Sequence, residues 1–199
     1  HSAEVGIDIF RVFDALNDER NVKASFNAIK KSGKHIQACL SFSLTENRIG
    51  GPVFTIDYWV KKSVTFQEMG ADSLCIKDMA GLLSPYDAYE LITALKAALK
   101  IPVELHTHYT SGMALMTYLR ACDADVDVLD AAFSPLGGGT SQPPVETIVA
   151  ALRNTPCDPK LDMELLVEIA NYFKGLREKF FDPLHLIDPL AEHIDTSIL

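Results

Sequence analysis

Leu74-Cys75-Ile76-Lys77-Asp78-Met79-Ala80-Gly81 is the stretch on which the reading of the fold turns. A short apolar run leads straight into a Lys-Asp pair and then into small residues. Read as a buried strand, it delivers an ammonium and a carboxylate to its C-terminal end, where charges are rarely left without a partner or a task. A second strand-like run, Val103-Glu104-Leu105-His106-Thr107-His108, ends on two histidines. Their i, i+2 spacing points both rings to one side of a strand. The two strand ends are expected to face one another across a single site.

Outward from these runs, further strand candidates are Ile7 to Phe13, His35 to Leu44 and Val126 to Phe133, with the two central strands at Ser73 to Ile76 and Val103 to His108. Helical patterns alternate with them. Val22, Phe26 and Ile29 follow a start at Asn17-Asp18-Glu19 and stop at Gly33. A helix from near Thr55 carries Val60 and Val64, with Trp59, Ser63 and Phe66 on an adjoining track. Ser84 is placed to cap the next helix, with Pro85 at its first position and Asp87 at N3 as in a capping box; Ala88, Leu91, Ile92, Leu95 and Leu99 form its buried stripe. Thr110-Ser111-Gly112 leads into a helix bearing Met113, Met116 and Leu119. Pro144 opens another, with Val145, Ile148, Val149 and Leu152 on one face, and Asp162 caps a longer one whose apolar side is Leu165, Leu166, Ile169, Phe173, Leu176 and Phe180.

Buried strands alternating with helices imply a parallel sheet, either an open doubly wound sheet or a (β/α)8 barrel. The first turn, Asp14-Ala15-Leu16-Asn17, has no GxGxxG, and the glycine run at Gly137 to Gly139 lacks the P-loop ending. Chemistry-bearing residues sit at the C-terminal ends of several strands, as barrel enzymes arrange them. A whole barrel takes eight units and about 250 residues, whereas five units are read here. The expected fold is therefore α/β, a (β/α)8 TIM barrel of which only the last five βα units are present. The opening His1-Ser2-Ala3-Glu4 reads as the middle of a longer sequence. Residues 1–180 are assigned to the C-terminal portion of the barrel, and 181–199 to the start of a following helical or linker region.

Composition narrows the classes. The 199 residues are 48% hydrophobic with a formal net charge of -9, which suffices for a good-sized core. No Lys/Arg cluster is long enough to track a phosphate backbone, so nucleic acid is not an expected partner. Cys39, Cys75, Cys122 and Cys157 are widely spaced without a CxxC, which favours reduced thiols in a cytoplasmic protein. No apolar run approaches the roughly 20 residues of a membrane span, and no stretch reads as a signal peptide.

Among the polar residues, His106 and His108 carry the strongest metal signal, since HxH at a strand end offers two imidazoles to one ion. Lys77 either pairs with Asp78 or another acid, or has its amine neutralised by burial, in which case it can react with carbon dioxide to give an anionic carbamate. Arg11 lies in a strand of Ile, Phe and Val; it meets either a structural carboxylate such as Asp14 or a substrate carboxylate. Thr140, after three glycines, is either a loop cap or a hydroxyl where the backbone approaches a ligand closely.

Four segments occur here in one order: Phe10-Arg11-Val12-Phe13-Asp14-Ala15-Leu16-Asn17-Asp18, Lys77-Asp78-Met79-Ala80-Gly81, His106-Thr107-His108-Tyr109-Thr110-Ser111-Gly112 and Gly139-Thr140-Ser141-Gln142-Pro143. Together they resemble the carboxyltransferase domain of biotin-dependent enzymes: pyruvate carboxylase and its separate B subunit, the oxaloacetate decarboxylase α subunit and the transcarboxylase 5S subunit. The resemblance covers roughly Ser2 to Phe180.

The resemblance implies a (β/α)8 barrel and metal-dependent carboxyl transfer between carboxybiotin and pyruvate or oxaloacetate. It implies that Lys77 is the carbamylated metal ligand, beside His106 and His108. Arg11 matches the arginine that holds the substrate carboxylate. Thr140 matches the threonine that shuttles a proton between biotin and the substrate methyl carbon. The catalytic set so implied is Thr140, Lys77 and Arg11, with Arg11 and Thr140 binding substrate. The metal is expected to be zinc, with manganese or cobalt in some members, and the biotin to be carried on a separate domain or subunit. Expected partners are pyruvate or oxaloacetate, a biotinyl carrier domain and further copies of the chain. No membrane insertion is expected, although decarboxylase members dock onto a membrane pump. The family's first-strand Arg-Asp…Gln motif, source of a metal-binding Asp, has no counterpart in these residues. Other readings are an aldolase-like metal-dependent lyase or condensing barrel, which also carries an HxH pair, and a non-catalytic fragment of the barrel.

Overall fold

The computed structural model describes residues 1–180 and 194–198. Five strands, β1 (Ile9–Asp14), β2 (His35–Ser41), β3 (Ser73–Asp78), β4 (Val103–Thr107) and β5 (Val128–Leu129), pair in parallel in the order β1-β2-β3-β4-β5. Helices α1 (Glu19–Ser32), α2 (Ile56–Glu68), α3 (Pro85–Ala98) and α4 (Ala114–Asp123) fill the connections. After β5 come a 3₁₀ turn (Ser134–Leu136), α5 (Val145–Leu152) and α6 (Met163–Phe180). Each strand neighbours the next one in sequence, with no reversal of order. A doubly wound sheet needs such a reversal; a barrel does not.

Curvature decides the point independently. In a flat sheet β1 and β4 would lie about 14 Å apart, three spacings of about 4.8 Å. Yet the Arg11 guanidinium on β1 donates to the Glu104 carboxylate on β4, and at 2.6 Å to Asp130, just beyond β5. The sheet is curled into the arc of a barrel.

The alternation of side chains gives the arc two unlike faces. One carries Ile36, Ala38, Leu40, Leu74, Ile76, Val103 and Leu105, which join the buried core with helix residues such as Val22, Phe26, Trp59 and Leu91. Leu91, Ile92 and Leu95 of α3 are fully buried, each contributing about 1.5–3 kcal/mol of transfer free energy. The inward face carries Arg11, Gln37, Ser41, Lys77, Glu104 and His106, joined by the strand register Arg11 to Gln37 and Ser41 to Lys77 to His106.

Local signals in the sequence place most helix ends. Asp18 caps α1 by accepting from the Arg20 N–H, and Gly33 ends it in the left-handed region. Thr55 caps α2 and Ser84 caps α3. Asp87 departs from the capping-box expectation: its carboxylate does not turn back to the cap but accepts from the Arg48 guanidinium and the Ile49 N–H, tying the loop before α2 to α3. In α4 the buried residues are Ala114, Thr117, Tyr118, Ala121 and Cys122, while Met116 and Leu119 are about half exposed. The expected stripe is rotated because Thr117 and Tyr118 make buried hydrogen bonds inward, to Leu83 O at 2.8 Å and Asp130 O at 2.6 Å. β5 is shorter than the Val126 to Phe133 expected, since only Val128 and Leu129 pair in register with β4. On α6, Leu166 and Ala170 are buried but Leu165 and Phe180 are exposed. The expected linker region falls largely at 181–193 and 199, outside the described residues.

Candidate active site

The site lies on the inward face at the C-terminal ends of the strands. Lys77 at the end of β3 and His106 on β4 are register partners. Asp78, next in sequence, points to the opposite face. It is fully buried and accepts from the Leu82 and Leu83 N–H groups at 3.0 and 2.8 Å and from the Thr107 hydroxyl at 2.9 Å. The Lys77–Asp78 pair considered from sequence does not form: adjacent residues on a strand face opposite ways, and Asp78 is consumed in shaping the loop into α3. The Lys77 ammonium instead stands over the Phe13 ring, 5.2 Å from its centroid.

The two imidazoles are brought together, their ring centroids 5.0 Å apart. Each has its Nδ1 engaged. That of His106 meets the Asp130 carboxylate at 2.6 Å, and that of His108 meets the Thr140 backbone carbonyl. Nδ1–H donation of this kind sets the tautomer and leaves Nε2 with its lone pair, the form in which an imidazole can bind a metal. Burial pushes the His108 imidazole down from its ordinary value, and the nearby His106 and Lys77 add to the effect, so the ring favours its neutral, ligating form. The donor set therefore fits two ligands of a divalent metal. Among the described residues no group of three His, Cys, Asp or Glu side chains surrounds one point.

Arg11 is held by partners that sequence reasoning did not name. The structural acid offered there, Asp14, is engaged elsewhere: it accepts from Leu16 N, Asp18 N and Asn21 Nδ2, each at 3.0 Å, and shapes the turn into α1. Arg11 meets Gln37, Glu104 and Asp130, and its Nη1 lies 3.4 Å from His106 Nδ1. Burial alone would raise the Asp130 carboxyl, but the hydrogen bonds from His106 and Arg11 outweigh it and hold it below the usual carboxylate range. Glu104 shifts the other way, raised by burial and by the charge of Asp130. Glu104 and Asp130 had the same signal as Arg11, a charge inside an apolar run, but that they meet one guanidinium with Gln37 follows only from the curled sheet.

Thr140 is exposed beside His108, and Gln142 of the same loop places its amide 3.3 Å from His106 Nε2. The loop is pinned by the Tyr109 N–H donating to Ser141 O at 2.7 Å. Opposite, Gly81 has φ +72°, and a Cβ there would lie 2.6 Å from the His108 carbonyl oxygen, so the turn after β3 packs directly on the turn that carries His108. Arg11, Lys77, His106, His108 and Thr140 are thus gathered on one rim. The arrangement offers a cation for a carboxylate, two imidazoles for a metal, an amine and a hydroxyl.

Comparison with known proteins follows the same lines. The HMGL-like family model matches residues 10–173. The B subunit of pyruvate carboxylase from Methanocaldococcus jannaschii is 46% identical over 196 residues, covering 98% of this chain and 33% of the relative. The methylmalonyl-CoA carboxyltransferase 5S subunit of Propionibacterium freudenreichii is 39% identical, covering 94% of this chain and 37% of the relative. The solved carboxyl transferase domain of Rhizobium etli pyruvate carboxylase with pyruvate and biocytin superposes with a TM-score of 0.85 at 39% identity, over 88% of this chain and 30% of that one. The chain spans about a third of the length of the curated relatives it matches. The chain belongs to the HMGL-like family, as a relative of the pyruvate carboxylase B subunit and of the carboxyltransferase domain of pyruvate carboxylase.

Proposed function

We propose that this chain supplies the metal-binding and substrate-binding arc of a biotin-dependent carboxyltransferase acting on pyruvate or oxaloacetate. The observation that carries the reading is the gathering of Arg11, Lys77, His106, His108 and Thr140 on one barrel rim, in a chain 46% identical to the B subunit of a pyruvate carboxylase. His106 and His108 would hold the metal through Nε2, with Lys77 as a third ligand once its neutral amine has added to carbon dioxide, releasing a proton and forming a carbamate. Zinc is the proposed metal. When bound, it supplies Lewis-acid polarisation of the substrate carbonyl.

Arg11 fixes the substrate carboxylate by charge-assisted hydrogen bonds, which orients the methyl carbon. The Thr140 hydroxyl carries a proton between that carbon and biotin, which arrives on a separate carrier domain. A closed site keeps water from competing for the carbon dioxide released. Carboxylation of pyruvate and decarboxylation of oxaloacetate use the same groups in opposite order.

The test is carboxyl transfer by the full-length enzyme that contains this arc, with a biotinylated carrier, alongside elemental analysis. Wild-type protein is expected to hold about one metal per chain and to transfer carboxyl groups. Thr140→Ala is expected to abolish transfer with metal content intact. Turnover in Thr140→Ala at the wild-type rate would overturn the proton-shuttle role. Absence of both metal and pyruvate binding in the wild type would overturn the reading as a whole.

A further inference from the structure

Arg11, Gln37 and Glu104 close a ring of three hydrogen bonds beneath the site. Arg11 Nε–H donates to Gln37 Oε1 at 2.6 Å, Gln37 Nε2–H donates to Glu104 Oε2 at 2.6 Å, and Arg11 Nη2–H donates to Glu104 Oε1. The ring uses both oxygens of Glu104, both ends of the Gln37 amide and the Nε/Nη2 edge of the guanidinium. Gln37 and Glu104 are 6% and 5% exposed, whereas the Arg11 side chain is 30% accessible. The ring is thus a buried floor that holds the arginine from below. The edge left facing outward is Nη1/Nη2, and Asp130 contacts it at 2.6 Å through Nη1 and 3.4 Å through Nη2.

A guanidinium has five N–H donors in a fixed fork, so consuming one edge decides which edge a ligand can meet. We infer that Glu104 and Gln37 are positioning residues, which turn the Nη1/Nη2 edge of Arg11 toward the carboxylate of an α-keto acid. That carboxylate would take the edge in exchange with Asp130. The inference rests on the proposed role of Arg11 and goes beyond it: the residues that set its orientation come from two other strands, and one of them is a carboxylate that never touches the substrate. Preorganisation of this kind adds to affinity by sparing the arginine its rotamer entropy on binding.

The experiment uses the purified protein, with pyruvate as the probe in calorimetry and in steady-state transfer assays. Glu104→Gln removes the charge from the ring. It is expected to weaken pyruvate binding about tenfold and to raise KM by a similar factor with kcat little changed, because a carboxylate clamp acts on ground and transition states alike. The exchanged variant Gln37→Glu/Glu104→Gln returns one carboxylate and one amide to the ring and is expected to recover most of the lost affinity. The Arg11 Nε–H resonance is expected to be sharp and protected in the wild type, to broaden in Glu104→Gln and to return in the exchanged variant. A wild-type protein that binds no pyruvate overturns the reading on which the inference rests. Wild-type binding together with equal binding by Glu104→Gln, or an exchanged variant no better than the single one, overturns the inference alone. Should Glu104→Gln fold poorly, the exchanged variant decides; if that also fails to fold, Glu104 is a structural residue of the barrel and the inference falls.

Discussion

Arg11 and Asp130 belong to opposite edges of the five-stranded arc and meet at 2.6 Å. Asp130 also accepts from His106 Nδ1 at 2.6 Å, so one carboxylate joins the proposed substrate cation to a proposed metal ligand. Loss of an outer partner of a ligating histidine costs about 10–100-fold in metal affinity. Asp130→Asn is therefore expected to weaken zinc binding by that order, measured by competition with a chromophoric chelator. Unchanged zinc affinity would show that Asp130 does not orient the ring.

Tyr118 acts one step further out. Its hydroxyl donates to Asp130 O at 2.6 Å and accepts from the Thr107 N–H at 3.1 Å, which links α4 to β4 and to the segment after β5. Tyr118→Phe leaves both backbone groups without this partner. A loss of about 1–3 kcal/mol in urea unfolding is expected. A variant as stable as the wild type would mean that water replaces the hydroxyl without cost.

Asn17 is a second buried polar pin. It has φ 55° and is 2% exposed, and it exchanges two hydrogen bonds with Ser41, from Nδ2 to Ser41 O at 2.9 Å and from Ser41 N to Oδ1 at 2.7 Å. Asn17→Ala loses both bonds and places a Cβ residue in the left-handed region without the side-chain compensation of Asn. About 2–3 kcal/mol of destabilisation is expected. Asn17→Gly relieves the backbone but not the lost bonds, and its stability should fall between those of the wild type and Asn17→Ala.

Gly81→Ala tests the contact between the turns after β3 and β4. The added methyl would meet the His108 carbonyl oxygen at 2.6 Å, at a φ of +72°. The turn bearing His108 must then shift. More than about 1 kcal/mol of stability should be lost, together with metal affinity. A variant with wild-type zinc binding would show that the His108 turn yields freely.

The cap of α1 carries an acid-sensitive contribution. Hydrogen bonds from the Arg20 side chain and then from its backbone N–H hold the Asp18 carboxyl down to about 2, below its ordinary 3.8. A carboxyl depressed on folding stabilises above its unfolded pKa and loses that contribution as pH falls through its folded value. Unfolding followed from pH 5 to pH 2 should therefore show a stability loss between about 4 and 2 that is smaller in Asp18→Asn. Parallel curves for the two proteins would assign the acid sensitivity to other groups.

Much of this molecule is legible residue by residue. The helix starts at Asn17-Asp18-Glu19 and near Thr55, the Ser84 cap, the Gly33 stop and the α3 stripe of Ala88, Leu91, Ile92 and Leu95 follow from local chemistry, and each is where the pattern places it. So is the clustering of Lys77 and His106, because both end parallel strands whose register is set by burial of one face. The misses share a cause. Hydrophobicity assigns the inner face of α4 to Met116 and Leu119, but the buried hydrogen bonds of Thr117 and Tyr118 rotate the helix; hydropathy does not register a polar group satisfied inside the core. Capping patterns place Asp87 within its own helix, yet its partner Arg48 comes from the loop before α2.

What the sequence by itself determined is the alternation of buried strands and helices and the kinds of side chain that end those strands, since both rest on periodicity and on local caps. Which charges meet was left to the tertiary structure. Lys77 lies next to Asp78 in sequence and turns away from it, whereas Arg11 reaches Glu104 and Asp130 across the whole arc. A strand sends neighbours to opposite faces, and curling five strands brings its edges within reach of one guanidinium. Neither effect is contained in any short stretch of the chain.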